Sequence, residues 1–165
     1  MPPPSAAPSA SPSTKDRVPA VEGWFTLDER APALLGSTCT SCGNIAFPKE
    51  SFFCRNPLCQ GSEFTETALS RTGTVWSYTD ACYQPPAPYV ASDPYLPFAI
   101  AAVELAAEKM VVMGQVVAGV GVADLSVGAE VELVVDTLYE DDEHEYVVWK
   151  WRPTGGAAGT GASGA

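Results

Sequence analysis

The sequence predicts a mainly β protein in which a small cysteine-built ribbon leads into a five-stranded barrel, and three observations carry that expectation. Four of the five cysteines fall into two close pairs, Cys39-x2-Cys42 and Cys54-x4-Cys59, separated by eleven residues. From Gly73 to Arg152 the chain breaks into five runs rich in β-branched and aromatic residues, the types that strands prefer. Apolar residues make up 46% of the 165-residue chain, enough for a core, yet no run approaches the roughly 20 residues of a membrane span.

The ends and the lead-in come first. Met1 to Thr14 is almost all Pro, Ser and Ala, and Thr154 to Ala165 is Gly, Ala, Ser and Thr. Neither can bury enough apolar surface to offset the entropy of ordering it, so both are expected as flexible tails. The layout is then a tail over 1–17, a helical lead-in with the ribbon over 18–68, the barrel over 69–153 and a tail over 154–165. In the lead-in, Val21, Trp24, Phe25, Leu27, Ala31, Leu34 and Leu35 have a spacing that predicts one or two short helices, with Pro32 in the first turn of the second and Gly36 closing it. Trp24 and Phe25 either pack on the ribbon and barrel or anchor a protein partner.

The two cysteine pairs have the spacing of tetrahedral metal ligands, each pair on its own turn, as in a rubredoxin-like zinc ribbon. Gly43 follows the first pair, where positive φ aims backbone N–H groups at sulfur, and Asn56-Pro57 makes a turn inside the second. Two disulfides are the weaker reading, because no signal peptide precedes the domain and Cys82 is left over. Zinc is the expected ion; iron, in an electron carrier, is the competitor. Either way four thiolates close the coordination shell, so the ion is structural. Ile45, Phe47, Pro48, Phe52 and Phe53 are expected to pack as a small apolar cap over it.

The barrel strands are predicted at Gly73–Thr79, Phe98–Leu105, Lys109–Val117, Glu130–Leu138 and His144–Arg152. Val131, Leu133 and Val135 alternate with Glu130 and Glu132, and Val147, Trp149 and Trp151 share a face. Gly114 predicts a bulge or sharp bend, and Val122 to Val127 leaves room for a turn or very short helix. A long excursion after the first strand and a connector between the third and fourth suggest a Greek-key barrel of the OB type, with a sandwich fragment as the alternative.

The excursion, Asp80 to Pro97, holds five prolines and three tyrosines, Tyr83, Tyr89 and Tyr95, and is expected as a binding loop. Glu140 to Glu145 packs five acidic residues around His144, which fits a solvated hairpin tip. Cys82 has no basic neighbour in sequence to activate it.

Charge narrows the function classes. Nine basic against twenty acidic residues give a formal charge of −11, opposite to the basic footprint of a phosphate-backbone binder. A single-strand nucleic-acid binder remains the rival reading, because Trp76, Trp149 and Trp151 are residues on which bases stack. With one histidine and a closed metal site, the sequence points away from an independent catalyst. The N-terminus has no basic stretch followed by an apolar one, so a cytoplasmic address is expected.

A lead-in, Cys39-Thr40-Ser41-Cys42-Gly43, Phe47-Pro48, a second cysteine pair, then Leu69 to Thr79 (LSRTGTVWSYT) and an OB-like sheet together resemble one family. It is the zinc-ribbon plus OB-fold family, domain of unknown function thirty-five, that accompanies thiolase-like enzymes. The second pair is spaced x4 where many members have x2, and Thr38 stands where a basic residue often precedes the first cysteine. The resemblance implies a non-catalytic accessory subunit of a thiolase or thiolase-like retro-aldolase acting on acyl-CoA esters, in steroid side-chain or aromatic acid degradation. It implies Cys39, Cys42, Cys54 and Cys59 as zinc ligands and a thiolase-fold partner that holds the reacting groups. Trp76, Tyr78 and Tyr89 are then candidates for framing the acyl-CoA site beside that partner, with Trp24 and Phe25 as further contacts.

Overall fold

The computed structural model describes residues 15–28, 30–87 and 89–155, so most of both expected tails lies outside it. Its strands are β1 (Asp16–Pro19), β2 (Leu35–Cys39), β3 (Ile45–Ala46), β4 (Phe64–Ala68), β5 (Thr72–Ala81), β6 (Phe98–Leu105), β7 (Met110–Val116), β8 (Glu130–Glu140) and β9 (His144–Pro153). Among the described residues the one helical element is a 3-10 turn at Val122–Asp124, in the connector where a turn or very short helix was expected. Among these residues no helix is long and apolar enough to cross a membrane.

Strands β5 to β9 close a five-stranded barrel in the order β9-β7-β6-β5-β8, with β8 pairing back onto β9. Only β7 and β9 run parallel within it, which is the Greek-key closure of an OB fold. The alternation of each strand decides what faces in. Val75, Ala101, Val103, Leu105, Val131, Leu133, Val147 and Trp151 are all buried in one core. A short strand, β1, adds in parallel to β9, pairing Asp16 with His144 through Pro19 with Val147, and Arg17 reaches Glu145 at 3.4 Å. Four residues reading DRVP carry no periodicity, which is why the sequence did not announce it.

The ribbon is a second, three-stranded sheet in the order β3-β2-β4. Here the expected N-terminal helices are corrected. In place of a helix, Phe25 bridges Leu34 in antiparallel fashion, and Thr26 N–H donates to the Ala33 carbonyl at 2.9 Å. Asp28 Oδ1 accepts from the N–H of Arg30 at 2.9 Å, and Thr26 Oγ1 from that of Ala33 at 3.0 Å. These side chains offer the backbone partners that compete with a helical ladder, and Gly23 at φ 74 breaks the chain ahead of them. Leu35 and Gly36, expected at a helix end, instead open β2.

Two smaller expectations also change. β7 shows no bulge at Gly114. A Cβ there would lie 2.9 Å from the indole nitrogens of both Trp149 and Trp151, so the glycine is needed for close approach of side chains. Register shifts fall instead in β5, between Val75 and Ser77, and in β8, between Thr137 and Tyr139. The apolar cap forms only in part: Ile45 and Phe47 pack on the core, whereas Phe52 and Phe53 stand out in solvent.

Candidate metal centre and outer barrel face

The sulfur atoms of Cys39, Cys42, Cys54 and Cys59 all lie within 4.8 Å of one another, on two turns brought together by the ribbon. In the first turn Gly43 takes φ 73, and its N–H donates to the Cys39 carbonyl at 2.9 Å. In the second, Cys59 N–H donates to the Asn56 carbonyl at 2.9 Å and Cys54 N–H to that of Gly61 at 2.9 Å. Asn56 N–H points at Cys54 Sγ (3.4 Å) and Gly61 N–H at Cys59 Sγ (3.3 Å), the amide-to-sulfur bonds that stabilise thiolate. Any Cβ at Gly61 would come within 2.8 Å of Cys39 Sγ, so this position also admits the cluster by having no side chain.

The residues fit a tetrahedral ion such as zinc. Ligands about 2.3 Å from such an ion stand about 3.8 Å apart. Cys39 and Cys59 sulfurs are 3.9 Å apart and those of Cys42 and Cys54 3.5 Å. Among the thiols themselves the protons divide unevenly. Asn44 N–H is the main influence holding Cys42 down to about 7. Burial raises Cys39, but the N–H groups of Cys42 and Ser41 outweigh it and its pKa falls. Asn56 N–H draws Cys54 down, yet burial and the sulfurs of Cys42, Cys39 and Cys59 together push it up to about 12. Cys59 is raised too: the Gly61 N–H is outweighed by Cys42 and burial. A divalent cation displaces the remaining protons as it binds.

An aromatic seam joins ribbon to barrel. Trp24 stacks on Trp149 with ring centroids 5.8 Å apart, Phe47 meets both edge-on at 5.6 and 5.9 Å, and Phe25 meets Trp149 at 5.8 Å. Phe25 is buried in the core and Trp24 is half-buried, so both serve this seam. Phe47, expected in the apolar cap, and Trp149, which the rival reading gave to base stacking, complete it.

The other candidates lie on or near the outside of the barrel. Trp76 sits at the register shift of β5 and is 61% exposed. It lines a shallow trough with Ser77, Tyr78, Thr79, Ile100, Ala102 and Met113, and Met113 is 64% exposed. Tyr78 reaches this trough but also packs on the core. Tyr89 is set apart, stacked on Phe98 at 5.9 Å within the excursion, whose Tyr95 hydroxyl donates to the Ala81 carbonyl at 2.6 Å. Ile100 and Ala102 were missed as trough residues. Their signal was in β6, which is apolar at every position from Phe98 to Val103 and so marks both faces as covered.

A four-cysteine ribbon fused to an OB barrel is the class of protein that fold and site define. Comparison with known proteins makes this particular. Residues 66–136 match the family described as ChsH2, C-terminal OB-fold domain. The chain is 30% identical over 133 residues to a DUF35 domain-containing scaffold protein of Methanocaldococcus jannaschii, a match covering 80% of this chain and 87% of that one. It is 45% identical over 53 residues to benzoylsuccinyl-CoA thiolase subunit BbsA of Thauera aromatica, covering 32% of this chain and only 35% of that subunit. Among solved structures it is similar to an Ltp2-ChsH2(DUF35) aldolase, with a TM-score of 0.54, 27% identity, and coverage of 73% of this chain and 84% of that one. The chain belongs to the DUF35 family of OB-fold proteins that accompany thiolase-like enzymes.

Proposed function

We propose that this chain is the accessory subunit of a thiolase-like enzyme, a thiolase or a retro-aldolase, acting on acyl-CoA esters of steroid side chains or aromatic acids. The observation that carries the reading is the closed donor set. Four thiolates around one ion, zinc in this proposal, leave no position for water or substrate, so the ribbon supplies shape and not reaction chemistry. The reacting groups then belong to a thiolase-fold partner, and this subunit helps frame the acyl-CoA site with Trp76, Tyr78 and the Tyr89 excursion.

Charge supports that division. Among the basic side chains, Lys49 is bound to Glu66 at 2.8 Å, Arg55 to Glu50, and Lys150 to Asp136 at 3.0 Å. With a net charge of −11 around them, phosphate contacts fall mainly to the partner. Co-expression with thiolase-fold proteins encoded in the same genome tests the reading. The expected outcome is a co-purifying complex that turns over acyl-CoA, while the isolated subunit does not and binds acyl-CoA weakly in calorimetry. Turnover by the subunit alone would overturn the proposal.

A further inference from the structure

The second metal knuckle carries an apolar tip that the fold leaves uncovered. Phe52 and Phe53, which directly precede Cys54, are each 75% exposed, and Leu58, which directly precedes Cys59, is 94% exposed. Leu58 is the most exposed large apolar side chain among the described residues. Its position is nonetheless fixed: its N–H donates to Asn56 Oδ1 at 3.1 Å, and the next residue closes the turn onto the Asn56 carbonyl at 2.9 Å. Since Cys54 and Cys59 belong to one cluster, an ion held there would fix the turn that carries all three side chains. Rigid, exposed aromatic and aliphatic groups are what fill a pocket on another protein, and the ordering cost of presenting them is already met within the ribbon.

We infer that this tip, Phe52, Phe53 and Leu58, is a metal-set anchor that docks into an apolar pocket of the thiolase-fold partner; the inference rests on the accessory-subunit reading above. The charges around the tip choose the kind of surface. Lys49 and Arg55 are neutralised by Glu66 and Glu50, so the knuckle offers no free cation to phosphates. The whole chain, at −11, is repelled by anionic lipid and nucleic acid. An uncharged, apolar recess on a protein is the occupant these features fit. The tip is also distinct from the trough at Trp76, which lies on the barrel and not on the ribbon. Docking through the ribbon would leave that trough for substrate framing.

The test uses the full chain and the thiolase-fold protein captured by co-purification. The variants are the double change F52S/F53S and, separately, L58S, each checked for metal content and far-ultraviolet circular dichroism. Binding is then measured by calorimetry, and self-association and binding to anionic phosphatidylserine-containing vesicles by sedimentation. The expected result is full metal content with affinity for the partner reduced at least 30-fold in the double variant and at least 5-fold in L58S. Removing the metal from the wild type with a chelator should weaken binding to a similar degree. Affinities within twofold of wild type in both variants overturn the anchor but leave the accessory role standing. Failure of the wild type to bind any thiolase-fold protein overturns both. Loss of a wild-type dimer, or of vesicle binding, in the variants with partner affinity unchanged reassigns the tip to self-association or lipid and overturns the inference.

Discussion

Trp149 holds the ribbon to the barrel. It touches Trp24, Phe25 and Phe47, which all belong to the lead-in and ribbon, and its indole N–H donates to the Met113 carbonyl at 3.2 Å. Trp149→Ala should cost about 3 kcal/mol, the low end for removing a large aromatic because this one is only half-buried. Denaturant unfolding measures that loss, and collapse of the near-ultraviolet circular dichroism shows the seam dissolving. Gly114→Val drives a branched side chain into the indoles of Trp149 and Trp151 and should cost about 1–3 kcal/mol by overpacking. Asp141 accepts from the N–H groups of His144 (2.7 Å) and Glu143 (2.8 Å), which lower its carboxyl pKa. A lowered folded-state pKa means the turn is stabilised above the unfolded value of about 3.9 and loosens as pH falls through the folded one. An NMR titration of that carboxyl should place its midpoint below an ordinary aspartate, and Asp141→Asn should remove the acid limb it contributes.

Among the elements, the ribbon is the one whose stability is borrowed. Its strands are five, two and five residues long, and its largest exposed residues face solvent, so little apolar burial is available to hold it. Structural zinc in modules of this size contributes about 10–16 kcal/mol of apparent binding energy. Chelation should therefore release the ribbon and the Trp24–Trp149 stack while amides of β5 to β9 keep their protection in hydrogen exchange. Cys42→Ser should reduce metal content and give the same split, and acidification should promote release because thiolates must be deprotonated to ligate. The cysteine spacing was legible because ligand geometry is local, whereas Val21 to Leu35 was not: its apolar spacing suits a helix as well as a hairpin. Thr26, Asp28 and the bridge from Phe25 to Leu34 decided between them, and that bridge forms only once the chain folds back.

At the scale of the whole molecule, an acidic shell surrounds a barrel closed by β8 on β9. Like charges summing to −11 strain the folded state, and salt screens them over a Debye length of about 10 Å at 0.1 M. Raising salt from low to moderate concentration should accordingly raise the melting temperature, measured by calorimetry. The alternation in Glu130 to Leu138 and the run Phe98 to Leu105 made the barrel strands readable, since period two is a local property. By itself the sequence determined the pairing of the four clustered cysteines, the five barrel strands and the sign of the net charge, each of which depends on neighbours along the chain. Only the tertiary structure decided that β1 lies on β9, that Gly114 admits two indoles, that Trp24 and Phe25 seal ribbon to barrel, and that Phe52, Phe53 and Leu58 remain uncovered. Those outcomes turn on which distant surfaces meet, and contacts between residues far apart in the chain leave no period or spacing to read.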